Sequence, residues 1–135
     1  MVRKEKTMIL KQLSVFVENK EGRMKDITQV LKDSNINIQT ASLADTTEYG
    51  MLRLIVSDPD LAKAKLREAG FPVSITDVLA VKANDSIGFL HDLLCKLEGN
   101  ISSIEYMYTL PTQEGPVVIL KVANPEEIEK VLEED

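Results

Sequence analysis

Two loops of this sequence have the residue types to hold a small carboxylate. They span residues 19–24 (NKEGRM) and residues 84–90 (NDSIGFL). Each loop sets a glycine, Gly22 or Gly88, just before a predicted helix, where free backbone N–H groups and the positive end of the helix dipole attract an anion. A glycine also lets a ligand come close to the backbone.

The same loops offer acceptors for an ammonium group. Asp85 and the side-chain amides of Asn19 and Asn84 can accept hydrogen bonds from it. A site for a free amino acid requires both: donors for the carboxylate and, beside them, acceptors for the ammonium group. Apolar Ile87 and Phe89 in the second loop, with Met107 expected near it, hint at an apolar ligand side chain. The alternative is that both loops are only helix caps with a turn glycine.

Catalytic and metal chemistry find little support in the sequence. His91 and Cys95 lie four residues apart on a predicted helix, as two metal ligands can, but a zinc site needs three or four ligands and the sequence has no other His or Cys. No nucleophile, base and orienting partner can be assembled from the remaining residues. We therefore expect a protein that is not an enzyme and that uses no metal or cofactor.

Composition narrows the partners and the compartment. The 135 residues include 22 acidic and 16 basic side chains, a net charge of -6, which argues against a nucleic-acid partner. No apolar run approaches the roughly 20 residues of a membrane span, so we expect a soluble protein with no membrane partner. With Cys95 as the only cysteine, no internal disulfide can form, which favours a cytoplasmic location.

The first half of the sequence predicts the order strand, helix, strand, strand, helix, strand. Alternating apolar residues mark the first strand at Leu13, Val15 and Val17, and apolar residues three and four apart predict a helix over 23–33. The second helix is predicted over 58–69, with Asp58 as its N-cap. Further strands are predicted at 36–40, 51–56 and 71–76. This βαββαβ order is that of a ferredoxin-like module, an α+β fold with an antiparallel sheet and helices on one face.

The second half repeats the first at an interval of 66 residues, the distance from Gly22 to Gly88. The matched pairs include Leu13 with Leu79, Val15 with Val81, Asp26 with Asp92, Leu31 with Leu97 and Pro59 with Pro125. Strands are predicted at 78–83, 104–109 and 117–122. The apolar stripe of the intervening helix is predicted to be Leu90, Leu93, Leu94 and Leu97.

The second copy ends one strand short, because the chain stops where the counterpart of residues 71–76 should come. Unpaired sheet edges invite aggregation, so another segment is expected to cover this one. The 66-residue interval points to the N-terminal segment 1–10, which precedes the first copy as 71–76 precedes the second. We therefore expect modules at 11–76 and 77–135, with residues 1–10 completing the sheet of the second module.

These features resemble the ACT domain family of amino-acid-sensing regulatory modules. The resemblance lies in a strand, then Asn-x-x-Gly-x-Met or Asp-x-x-Gly-x-Leu, then an amphipathic helix, all within a repeated βαββαβ frame. It covers nearly the whole chain as two tandem copies. Glu21 and Ile87 occupy the places where the family often has proline before the glycine.

The resemblance implies that modules pair side by side and that a ligand is held at their interface by the first strand-to-helix loop. Carried over, the site lies near Asn19, Gly22 and Met24 in the first copy and near Asn84, Asp85, Gly88 and Leu90 in the second. Together with Ile87 and Phe89, these are the predicted ligand-binding residues. The second loop is the favoured one, because the first is more highly charged.

Two functions remain open at this point. The leading hypothesis is a tandem ACT-like regulatory protein that binds a free amino acid and transmits its occupancy through a change in packing, either as a homodimer or to a metabolic enzyme. The alternative is a structural or interaction module that binds no ligand and uses its sheet edges or helical faces to dimerise or to dock onto a metabolic enzyme.

Overall fold

The computed structural model describes residues 7–18, 20–45, 49–83, 86–100 and 103–133. Six strands and four helices follow one another along the chain: β1 (Thr7–Glu18), α1 (Arg23–Asp33), β2 (Ile38–Asp45), β3 (Tyr49–Val56), α2 (Pro59–Glu68), β4 (Val73–Lys82), α3 (Phe89–Leu97), β5 (Ile104–Thr112), β6 (Gly115–Val122) and α4 (Pro125–Glu133).

The chain divides into two compact units. One consists of Lys11–Thr76 and is called here the continuous unit; the other joins Met1–Leu10 to Asp77–Asp135 and is called the discontinuous unit. The strands β1 and β4 each contribute residues to both units, because the divisions fall inside them.

Within the continuous unit the strands run in the order β2-β3-β1-β4. Leu13 and Val15 of β1 lie opposite Leu54 and Leu52 of the antiparallel β3, and these four residues are fully or almost fully buried. Alternate residues of a strand face the same side, so one face of this sheet is apolar and packs against the helices. The first part of β4 joins this core through Val73.

The helices of the continuous unit begin and end where their residue types favour it. In α1, Ile27 and Leu31 are four residues apart and fully buried. In α2, the Asp58 carboxylate accepts a hydrogen bond from the Leu61 N–H at 3.2 Å, which caps the helix. Gly70 follows α2 with a left-handed backbone, φ 94°. The predicted N-cap at Asp58 is therefore confirmed.

Within the discontinuous unit the order is β1-β4-β6-β5, with the start of β1 as the edge strand. Ile9 of β1 packs against the core of this unit. The buried members of that core are Leu79, Val81, Leu93, Leu97, Val118, Leu120, Val122, Ile128 and Leu132. The fold-class prediction of two ferredoxin-like modules is confirmed.

The predicted apolar stripe of α3 was wrong at two positions. Leu93 and Leu97 are fully buried, but Leu90 and Leu94 are 38% and 36% exposed. Phe89 instead packs against the core. Residues 89, 93 and 97 recur every four positions and form a single narrow stripe on this nine-residue helix, so Leu90 and Leu94 fall beside it.

The helices in the described part of the chain are all too short or too polar to cross a bilayer.

Candidate functional site

The two glycines of the predicted binding loops have almost the same backbone geometry. Gly22 precedes α1 with φ 85° and ψ -6°, and Gly88 precedes α3 with φ 83° and ψ 5°. Both are left-handed conformations that favour glycine. A Cβ atom added at either position would meet no heavy atom within 4 Å. Both loops therefore leave open space in which a ligand can approach the backbone.

The first loop presents backbone donors at the start of α1. The Asp26 N–H donates to the Gly22 carbonyl at 2.9 Å, and the Arg23 N–H donates to the Lys20 carbonyl at 3.3 Å. Between them, the N–H groups of Met24 and Lys25 have no helical carbonyl to reach, and Gly22 provides no side-chain cap. These two groups can bind an external acceptor such as a carboxylate.

The second loop repeats this hydrogen-bonding pattern. The Asp92 N–H donates to the Gly88 carbonyl at 2.9 Å, and the Phe89 N–H donates to the Ser86 carbonyl at 3.3 Å. The matching backbone donors are those of Leu90 and His91. The two copies therefore share not only a glycine but the same pair of first-turn N–H groups.

The other predicted residues have different environments. Ile87 is fully exposed and Leu90 partly exposed, so both side chains are accessible. Phe89 and Met24 are instead partly buried and pack against the cores of their units. Three predicted residues, Asn19, Asn84 and Asp85, lie outside the described residues.

A cluster of three charges borders the first loop. The Lys20 Nζ lies 3.1 Å from the Glu18 Oε2, and the Arg23 Nη2 lies 3.9 Å from the same oxygen. The hydrogen bond from Lys20, its positive charge and that of Arg23 lower the pKa of the Glu18 carboxyl below its usual value. The cluster carries one net positive charge, because two cations face one carboxylate.

Two cavities within the continuous unit are lined partly by residues of this cluster. One has a volume of about 80 Å³ and is lined by Val17, Glu18, Lys20, Arg23, Met24, Leu43 and Gly50. The other has a volume of about 320 Å³ and is lined by Phe16, Glu18, Arg23, Ala69, Gly70, Phe71 and Pro72. Pockets for small molecules usually measure about 300–1,000 Å³, so only the larger cavity has the size of a ligand site.

The larger cavity was not predicted from the sequence. Of its charged residues, Glu18 precedes the predicted loop and Arg23 belongs to it, whereas Phe71 and Pro72 come from the link between α2 and β4. The Arg23 guanidinium carbon lies 6.0 Å from the centroid of the Phe71 ring, a cation–π distance. Residues separated by about 50 positions give no local sequence pattern, so no signal in the sequence indicated this site.

The His91 and Cys95 pair lies on the exposed surface of α3. The Cys95 Sγ is 3.5 Å from the His91 Nε2, as expected for residues one helical turn apart. Among the described residues, no group of three or more His, Cys, Asp or Glu side chains could hold a metal ion.

The duplicated modules and their matching loops define a tandem ACT-type protein, and the sequence profile of the ACT domain pair matches residues 8–135. The chain therefore belongs to the ACT domain pair family, which confirms the resemblance predicted from the sequence. No curated protein matches the chain.

Solved structures extend this result. Protein BT0572 from Bacteroides thetaiotaomicron is 38% identical to the chain, with a TM-score of 0.87 over 95% of this chain and 89% of that one. The ligand-free regulatory subunit of aspartate kinase from Thermus thermophilus is 10% identical, with a TM-score of 0.65 over 98% of both chains. E. coli aspartokinase III in complex with lysine and aspartate is 16% identical, with a TM-score of 0.56 over 98% of this chain and 32% of that one. The two kinase proteins share the fold.

Proposed function

We propose that this chain is a regulatory protein that binds a free amino acid through its strand-to-helix loops. The observation that carries the proposal is the repeated loop geometry: a left-handed glycine with open space around it, followed by two first-turn N–H groups that no helical carbonyl can reach. Membership of the ACT domain pair family supports a regulatory role. E. coli aspartokinase III, which shares the fold, was crystallised with lysine and aspartate.

The chemistry assigned to each loop follows from its donors and acceptors. The carboxylate of the amino acid accepts from the N–H groups of Met24 and Lys25, or from those of Leu90 and His91. Its ammonium group is held by Asp85 or by the amides of the loop asparagines. We retain the second loop as the main site, because its exposed Ile87 and Leu90 offer apolar contacts to a ligand side chain.

Occupancy regulates a partner only if the ligand prefers one arrangement of the protein. Couplings of this kind are typically about 1–3 kcal/mol. We propose that the chain works in the cytoplasm as a homodimer, and that the ligand acts by changing the assembly state or the docking onto a metabolic enzyme. No catalytic step is assigned to the chain itself.

A thermal-shift screen with the twenty amino acids tests the proposal. We expect one of them, or a small related group, to raise the melting temperature selectively, and Gly88→Val to abolish the rise because its Cβ branches occupy the approach to the backbone. Gly99→Val is the matched control, since Gly99 also has a left-handed backbone, φ 83°, in open space after α3. A response that survives Gly88→Val, or that Gly99→Val removes equally, would contradict the assignment of the second loop.

The alternative function is a docking module that binds no amino acid. The exposure of three large apolar side chains around α3, Ile87, Leu90 and Leu94, favours it. A flat response to all twenty amino acids, together with loss of dimers in Leu90→Glu and Leu94→Glu variants by analytical ultracentrifugation, would support this function instead.

A further inference from the structure

The larger of the two cavities that border the Glu18, Lys20 and Arg23 cluster has the features of a second ligand site, separate from the backbone donors of the two loops. Its walls come from the end of β1, the first residue of α1 and the link between α2 and β4. Its volume of about 320 Å³ is at the small end of the usual range for ligand pockets. This size suits a molecule of one ring and a short polar group, and is too small for a nucleotide cofactor.

The apolar walls of the cavity are aromatic and held in place. Phe71 is buried in the core, whereas Phe16 is 37% exposed. The Phe16 N–H donates to the Pro72 carbonyl at 3.0 Å, which fixes the two walls relative to each other. Aromatic rings favour stacked or edge-to-face contacts with other rings. An aromatic or large apolar ligand therefore matches these walls.

The polar wall favours one negative charge on the ligand. The Arg23 guanidinium is 3.9 Å from the Glu18 carboxylate, which is engaged more closely by Lys20 at 3.1 Å. Because a guanidinium has five N–H donors, Arg23 retains donors for a ligand carboxylate, which it can bind in bidentate geometry. Cation–π contact with Phe71 orients the guanidinium group. Glu18 repels a second negative charge, which disfavours dicarboxylates and phosphates.

We propose that this cavity binds an aromatic monocarboxylate, with the carboxylate on Arg23 and the ring against Phe16 and Pro72. Two sources share this chemistry, an aromatic amino acid and the corresponding 2-oxo acid. They differ at the α-carbon, which carries an ammonium group in the amino acid and a carbonyl oxygen in the 2-oxo acid. The Glu18 carboxylate can accept a hydrogen bond from the ammonium group. This site does not depend on the function proposed for the loops.

Isothermal titration calorimetry on the full chain tests the site with four probes. We expect saturable binding of L-phenylalanine or phenylpyruvate, and at least tenfold weaker binding of phenethylamine, which lacks the carboxylate, and of succinate, which lacks the ring. Tighter binding of L-phenylalanine identifies the amino acid as the source, and tighter binding of phenylpyruvate identifies the oxo acid. The site is supported whichever of the two binds more tightly.

Two variants locate the bound molecule. Ala69→Leu fills the cavity from an exposed position at the end of α2, and Arg23→Gln removes the cation; each should weaken binding at least tenfold. The controls are Ala64→Leu, an exposed position on the same helix outside the cavity, and Lys63→Gln, which removes a charge elsewhere in the continuous unit. Both controls should bind as the unaltered protein does. Circular dichroism checks that every variant is folded.

Three results would overturn the assignment: absence of binding by both carboxylates, unchanged affinity in folded Arg23→Gln, or unchanged affinity in folded Ala69→Leu. Gly88→Val separates this site from the loop site. Binding that persists in Gly88→Val and disappears in Ala69→Leu supports the cavity. The reverse pattern rejects the cavity and leaves the function proposed for the loops intact.

Discussion

The stability of the continuous unit should depend on one arginine at the end of α2. The Arg67 Nε and Nη2 both donate to the Val73 carbonyl, at 3.2 Å and 2.9 Å, in a part-buried position. This fork joins the last turn of α2 to the first residue of β4, and so also positions the link that carries Phe71 and Pro72. Arg67→Met removes both hydrogen bonds and puts an unbranched apolar side chain in place of the arginine.

The magnitude follows from the number and type of these bonds. Hydrogen bonds with a charged partner contribute about 1.5–3 kcal/mol each when well formed. Both bonds are part-buried but share one acceptor, and the arginine residue is exposed, so we expect Arg67→Met to cost about 1–2 kcal/mol in total. Arg67→Lys keeps the charge but can form only one such bond, so its cost should be about half. At about 2 kcal/mol per molar urea, the midpoint of Arg67→Met should fall by roughly 0.5–1 M.

Urea unfolding followed by circular dichroism measures the loss of stability in Arg67→Met and in Arg67→Lys. Lys65→Met is the matched control, because it removes a cation from the same helix, and the ion pair that Lys65 forms with Glu68, at 3.8 Å, is solvent-exposed. Exposed pairs of this kind contribute about 0–1 kcal/mol. Equal urea midpoints for Arg67→Met and Lys65→Met would refute the role assigned to Arg67. A larger loss of stability in Arg67→Lys than in Arg67→Met would also refute it.

Three further predictions concern the core, the first loop and its charges. Leu93→Ala should cost about 2–5 kcal/mol in unfolding free energy because Leu93 is fully buried, whereas exposed Leu94→Ala should cost less than about 1 kcal/mol. Gly22→Ala should cost about 1 kcal/mol through left-handed strain alone, and Gly22→Asn less, as urea midpoints will test. The Glu18 pKa is lowered from 4.5, so its contribution to stability is present above pH 4.5 and lost as pH falls below it. Melting temperatures of Glu18→Gln should therefore decline less on acidification than those of the unaltered chain.

Most of the fold could be predicted because local sequence patterns indicate its strands and helices, and these patterns occur twice. The alternation of Leu13, Val15 and Val17 fixes one face of a strand, and the same residues line the core. The 66-residue interval predicted matched helix starts, and Gly22 and Gly88 agree within a few degrees in φ. The prediction of the buried stripe of α3 was wrong in part because the helix has four leucines and a phenylalanine but only one narrow buried face. Periodicity alone does not decide which of them are buried.

The site was harder to predict, because a cavity is a property of tertiary packing. Gly22 and Gly88 could be recognised since a glycine before a helix has a local meaning. The larger cavity instead combines Phe16 and Arg23 with Phe71 and Pro72, which become neighbours only when β4 completes the sheet of the continuous unit. The strand 71–76 was predicted, but its role as a cavity wall was not.

The division of β1 between the two units has a consequence for biosynthesis. The ribosome completes residues 11–76 as one uninterrupted stretch, so the continuous unit has all its parts early. Thr7–Leu10 is translated before this stretch, whereas the rest of its own unit, residues 77–135, is translated after it. Until then this segment, including the exposed Met8, is an open edge available to chaperones or to neighbouring nascent chains. Translational pauses after residue 76 should therefore be the moments at which this protein is most prone to misassembly.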